Sequence, residues 1–250
     1  MLKSMIIAFA MYSKIPMPEV EWQEKSMKYA LCFFPLVGVV VGIIMYIVGL
    51  MLLRLNCSVL LQAAVMTVLP VFITGGIHFD GFLDTMDALS SWGDRAKRLA
   101  IMKDSRSGAF AVIGGLVYFA LSLGVWSELS SQMLGVTALS YMLTRALSGM
   151  AIVSFPLAKN TGLACAFSNA AHKKRVRVVL AVWILAASSF MLLLNLWLAL
   201  GVLTAAAVLF GYHYHVCLKY FGGITGDLAG YFLQVLELII PFVCVIICKL

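Results

Sequence analysis

Thr74–Phe110 reads TGGIHFDGFLDTMDALSSWGDRAKRLAIMKDSRSGAF and holds Asp80, Asp84, Asp87, Asp94 and Asp104, five of the chain's eleven carboxylates. The segments on either side, about 58–73 and 109–126, carry no charge at all. Asp80, Asp84 and Asp87 stand at i, i+4 and i+7, so a helix through this stretch puts them on one face, with His78 and Gly81 beside the first. Three anions on one face repel one another. A divalent cation or a cationic ligand relieves that repulsion, and hard oxygen donors suit Mg²⁺, Mn²⁺ or Ca²⁺. The plainer account is a solvated helix face balanced by Arg95, Lys97 and Arg98.

Outward from this stretch the composition decides the class. Of 250 residues 63% are hydrophobic and 12% charged, and mean hydropathy is +1.02. Soluble chains carry about 25% charged residues. The chain is therefore expected to be an all-α polytopic membrane protein, a single integral-membrane unit over 1–250. Apolar runs mark spans at about 30–53, 58–73, 109–126, 133–153, 178–195, 196–212 and 230–247, seven in all. Residues 1–28 read as an interfacial N-terminal segment. Its first twelve residues are too short to span and are followed by no small-residue cleavage site, which argues against a signal peptide. The prolines of SKIPMPEVEWQEKSMK make a surface turn able to cover a site.

The net charge of +7 does not point to nucleic acid, because the basic residues are scattered over short segments between apolar runs. Fifteen of them precede spans 1, 3, 5 and 7, whereas only Arg54 and Lys249 fall on the other side; Arg145 lies within a span. By the positive-inside rule the N-terminus is cytoplasmic, the C-terminus outside, and 74–108 a cytoplasmic loop. The six cysteines show no C-x-x-C spacing and read as reduced residues of the apolar segments. Nothing in the sequence fixes an oligomeric state, and a homo-oligomer is allowed.

Two further features bear on chemistry. Gly75–Asp80 (GGIHFD) is echoed by Gly222–Asp227 (GGITGD), each a Gly-Gly turn followed by an acid at the same spacing; chance in a Gly-rich chain accounts for this as readily as a paired role. Lys103, Asp104, Ser105 and Arg106 stand just before a span, where helix N-terminal amides and basic side chains form a phosphate site. Carboxylates for Mg²⁺ and cations for phosphate are the parts of a phosphoryl-transfer site. His78 is a candidate general acid or base. Arg145 and Glu237 are intramembrane charges, which serve either as a ligand contact or as an ion pair with each other. His213 and His215, in an aromatic stretch, read as interfacial belt residues.

GGIHFDGFLDTMDAL followed by RLAIMKDSRSGAF resembles the signature of the cobalamin synthase (adenosylcobinamide-GDP ribazoletransferase) family. The likeness extends to YSKIPMP, to KNTGLACAF at 159–167 and to GGITGD at 222–227. Ala88, Phe79 and Phe110 depart from residues common in that family, and the carboxylates are intact. The resemblance implies a multi-pass enzyme of the cytoplasmic membrane. It would join α-ribazole or its 5′-phosphate to adenosylcobinamide-GDP with release of GMP, using Mg²⁺. Carried onto matching positions, the resemblance implies an active-site set of His78, Asp80, Asp84, Asp87, Lys103, Asp104, Ser105 and Arg106, with Asp227. On that basis Asp80, Asp84 and Asp87 are expected to hold the metal, His78, Asp84, Asp87 and Asp104 to be catalytic, and Lys103, Ser105, Arg106 and Asp227 to contact substrate, with Arg145 added as a contact from its intramembrane charge. The spacing is also similar to the paired-aspartate motif of CDP-alcohol phosphotransferases. An ion-coupled secondary transporter is a third reading, which requires acids near mid-membrane.

Overall fold

In lipid a backbone must satisfy its own polar groups, so long uncharged runs become helices. A computed structural model describes every residue except Ser105, and among the described residues there is no strand, only one isolated bridge between Leu157 and Ile224. The chain runs through α1 (Leu2–Tyr12), α2 (Glu24–Met27), a 3₁₀ turn (Ala30–Phe33), α3 (Phe34–Arg54), α4 (Val59–Thr74), α5 (Ile77–Ser90) and α6 (Arg95–Ile101). It continues through α7 (Ala109–Trp126), α8 (Ser131–Ser154), α9 (Leu163–Ala170), α10 (Lys173–Leu194), α11 (Leu196–Val216), a π turn (Cys217–Phe221) and α12 (Gly226–Lys249).

The expected spans correspond to α3, α4, α7, α8, α10, α11 and α12. Six helical segments are long and apolar enough to cross a membrane. The seventh expected span, α4, meets α5 at a 100° bend. That bend comes from Gly75 and Gly76, which take consecutive left-handed conformations with φ of 66° and 76°, a geometry that costs glycine little. The expected loop over 74–108 is thus mostly helical. Asp94 caps α6 by accepting from the Lys97 N–H at 2.9 Å, which accounts for one of the five acids as a helix start.

Helix α8 is enclosed by α3, α10, α11 and α12. Its approach to α3 is close: a Cβ on Gly38 or Gly42 would collide with the carbonyl oxygens of Tyr141 and Ala138. This Gly-x-x-x-Gly spacing lets helix backbones touch where lipid supplies no hydrophobic drive. Polar side chains then bond across the bundle, Tyr118 Oη donating to Gln234 Oε1 at 2.8 Å and Ser148 Oγ to the Ala229 carbonyl at 3.1 Å. The outer surface is apolar, with Ile43, Ile47, Leu116, Leu121, Leu185 and Leu193 exposed, as a lipid-facing surface requires. All six cysteines are free. His213 departs from the belt reading: it is buried, stacked on Phe232 with centroids 4.9 Å apart.

Candidate active site

The site is assembled where α5 and α12 begin. Both helices follow a Gly-Gly turn, and they cross so tightly that a Cβ on Gly81 would lie 2.8 Å from Asp227 Cα. A Cβ on Gly230 would lie 3.0 Å from the His78 carbonyl oxygen. The two echoed motifs therefore meet in space, and the acid that ends each one, Asp80 and Asp227, lines the same cavity of about 420 Å³. Its walls also include the end of α1 (Met11, Tyr12), the start of α3 (Phe34), α8 (Ser148, Ile152) and the segment from Lys159 into α9. All of these lie at one end of the bundle.

Asp84 sits one turn beyond Asp80. Partial burial, and then the charges of Asp80, Asp227 and Asp87, push its carboxyl up to about 6. This is the electrostatic signature of carboxylates crowded without a counter-charge. Asp87 has a partner of its own: its Oδ2 accepts from the Gly108 N–H at 2.6 Å and its Oδ1 from the Ala111 N–H at 3.1 Å. It thus caps α7 from another helix and ties α5 to the Lys103–Gly108 segment.

His78 is 5% exposed and lies against Tyr12 and Phe34, each with ring centroids 5.6 Å away. Among the described residues its Nε2 has no hydrogen-bond partner. Burial, and then the charge of Arg145, hold its proton affinity well below the ordinary histidine range. The neutral form of the ring is thereby favoured. The segment after α1 approaches the same corner. The Lys14 N–H donates to the Ile73 carbonyl at 2.8 Å, and the Lys14 stem lies over Gly75.

The remaining expected residues divide. Arg106 pairs with Asp104 at 2.8 Å on the exposed surface, and that pairing holds the Asp104 carboxyl down at about 2. Neither is among the residues lining the cavity. Lys103 is exposed, and Ser105 lies outside the described residues. Arg145, fully buried, is paired with Glu237, and its Nη1 also donates to Thr144 Oγ1 at 3.1 Å. Of the two roles open to this arginine, the structure supplies the partner for the ion pair. The cation that does line the cavity is Lys159, within KNTGLACAF. As a lone lysine in a polar loop it carries no signal by spacing.

Among the described residues no three His, Cys, Asp or Glu side chains converge closely enough to cage a metal ion on their own. A divalent ion at this site would draw on one or two carboxylates, with waters and substrate oxygens completing its shell. Asp80 and Asp84 are the pair at hand.

Comparison with known proteins comes to bear on this geometry. The sequence model of a family described as cobalamin-5-phosphate synthase matches residues 4–245. A protein of Lachnoclostridium phytofermentans named adenosylcobinamide-GDP ribazoletransferase is 44% identical over 98% of this chain and 94% of its own. Proteins of the same name from Pseudomonas fluorescens and Clostridium perfringens are 34% and 30% identical, over 92% and 94% of this chain and 94% of each relative. No solved structure matches.

Proposed function

The chain belongs to the cobalamin-5-phosphate synthase family, and from that premise we propose that it joins α-ribazole or its 5′-phosphate to adenosylcobinamide-GDP, releasing GMP. The observation that carries this reading is the meeting of Asp80 and Asp227, from two Gly-Gly turns far apart in sequence, in one cavity that also holds a lysine. Carboxylates and a cation around a small cavity suit a pyrophosphate. The volume accommodates the pyrophosphate and adjoining nucleotide atoms, and the corrinoid lies outside it, at the membrane surface.

In the reaction a ribose hydroxyl oxygen bonds to the phosphorus that carries the corrinoid. The anhydride bond from that phosphorus to the GMP moiety breaks, and its electron pair leaves on the GMP phosphate. The hydroxyl proton passes to Asp227, whose burial raises its proton affinity and which is not one of the two carboxylates assigned to the metal. Asp80 and Asp84 would hold Mg²⁺, which supplies charge neutralisation for the pyrophosphate when bound. His78, wedged between Tyr12 and Phe34, fixes the α5 backbone against Gly230 and so holds Asp80 opposite Asp227.

The cavity lies at the end of the bundle where most Lys and Arg residues gather, which supports a cytoplasmic active site supplied with cytoplasmic nucleotides. The acids of the site also gather at that end, away from the mid-membrane place an ion-coupled transporter needs. The test is GMP release from adenosylcobinamide-GDP and α-ribazole by detergent-purified protein. Turnover should require Mg²⁺ and vanish in Asp84→Asn. No release by wild-type protein, or transfer to a lipid alcohol in place of α-ribazole, overturns the reading.

A further inference from the structure

Lys159 belongs to a segment that is clamped rather than loose. The Ile224 N–H donates to the Pro156 carbonyl at 2.7 Å, and the Ala158 N–H donates to the Ile224 carbonyl at 3.1 Å. Together they make the isolated parallel bridge of Leu157 with Ile224. The approach is so close that a Cβ on Gly223 would stand 2.5 Å from the Pro156 carbonyl oxygen and 2.6 Å from the Ala158 nitrogen. Lys159 stands two residues after Leu157 in its own segment, and Asp227 three residues after Ile224 in the other. The bridge therefore sets the lysine's position relative to the cavity carboxylates.

At this position a cation stands without a bonded anion. Among the described residues Lys159 makes no ion pair within 4.0 Å, although Asp227 lines the same cavity. Its ammonium is partly desolvated, and it is held below the ordinary lysine range first by that burial and also by the charge of Lys103, with Asp227 acting in the opposite sense. Helix α9 begins at the same wall after Gly162, with no side-chain cap on its first N–H groups. A cation without a bonded partner, facing a cavity shared with carboxylates, is suited to a phosphate bridging the two through a divalent ion.

We propose that Lys159 is a substrate-binding residue that holds the pyrophosphate of the nucleotide-activated substrate across the cavity from Asp80 and Asp227. This rests on the phosphoryl-transfer reading given above. In that arrangement the ammonium faces the phosphate oxygens and stays on the leaving nucleotide as its anhydride bond breaks. The acceptor nucleoside makes no use of it.

The experiment compares full-length wild-type protein with Lys159→Met, which keeps the stem and removes the charge, and Lys159→Arg, which keeps the charge. Lys159→Gln carries the same test should the methionine variant not fold, judged by thermal unfolding in detergent. Loss of a charge-assisted phosphate contact should raise KM for adenosylcobinamide-GDP by about ten- to a hundredfold, with the KM for α-ribazole unchanged and substantial rescue by arginine. Calorimetric binding of inorganic pyrophosphate with Mg²⁺ should weaken in parallel. If wild-type protein releases GMP and the uncharged variant matches it in both KM and pyrophosphate binding, the role of Lys159 is overturned and the activity stands. If wild-type protein releases no GMP yet binds pyrophosphate in a Lys159-dependent manner, the activity falls and the site stands. Neither turnover nor Lys159-dependent binding overturns both.

Discussion

Asp87 Oδ2 accepts a 2.6 Å hydrogen bond from the Gly108 N–H, and the second oxygen of the same carboxylate accepts from Ala111. Helix α7 has no side-chain cap from its own N-terminal residue, a glycine, so its exposed N–H groups are satisfied from α5. An acid in the aspartate run thereby holds together two parts of the signature stretch 21 residues apart. Asparagine keeps one acceptor oxygen and turns an NH₂ group toward the other N–H, whereas alanine keeps neither acceptor. Asp87→Ala should lower stability by about 1–2 kcal/mol and Asp87→Asn by a measurable part of that, as read by thermal unfolding in detergent. Wild-type stability in the alanine variant would remove the capping role.

Gly81 is the point at which α5 and α12 touch. A methyl group there stands 2.8 Å from Asp227 Cα and 2.9 Å from its carbonyl oxygen, which are backbone atoms unable to rotate away. Gly81→Ala must separate the two helix starts that carry Asp80 and Asp227. Overpacking of this kind costs about 1–3 kcal/mol, and the loss of activity should exceed what the lowered stability explains. The measurement is GMP release at a temperature where the variant remains folded. Wild-type turnover there would show that the spacing of the two acids does not matter.

The expected orientation has its own test. Cys248, exposed near the C-terminal end of α12, should be outside, and Trp92, 93% exposed between α5 and α6, should be cytoplasmic. In a chain whose other cysteines are replaced, a membrane-impermeant maleimide should label Cys248 on intact cells. A cysteine placed at Trp92 should be labelled only after permeabilisation. The reverse pattern inverts the topology and moves the cavity to the other side.

How much of this was legible beforehand depends on the range of the interaction concerned. The spans were legible because burial in lipid is a property of the run itself, so 109–126 coincides with α7 (Ala109–Trp126). The acidic face of α5 was legible because helical periodicity is local, and the echo of the two Gly-Gly motifs became a contact through Gly81 and Gly230. Lys159 was not legible as a site residue, because its place depends on a backbone bridge to Ile224, and backbone hydrogen bonds leave no residue-type signal. Arg106 was read toward phosphate, and its pairing with Asp104 two residues away is a local geometry that charge counting does not resolve. His78 looked suited to proton transfer by residue type. Its burial between two aromatic rings was not legible, because those contacts bring α1 and α3 from distant parts of the chain.

Arg145 and Glu237 form the ion pair that α8 and α12 share, and both side chains are almost wholly enclosed. Arg145 Nη1 also donates to the Tyr141 carbonyl at 3.3 Å and to Thr144 Oγ1 at 3.1 Å, and the Tyr141 ring lies beneath the guanidinium at 5.4 Å, but these neutral partners carry no charge to replace Glu237. Breaking a buried pair on one side is costly, about 3–5 kcal/mol, whereas exchanging both partners for apolar residues of similar size is often neutral or better. Arg145→Met alone should therefore lower stability severely, and adding Glu237→Leu should restore much of it. Because the pair sits behind the cavity wall and is not among the residues lining it, GMP release should return with stability in the double variant. A double variant that is stable yet has lost affinity for adenosylcobinamide-GDP would instead give Arg145 a direct part in binding substrate.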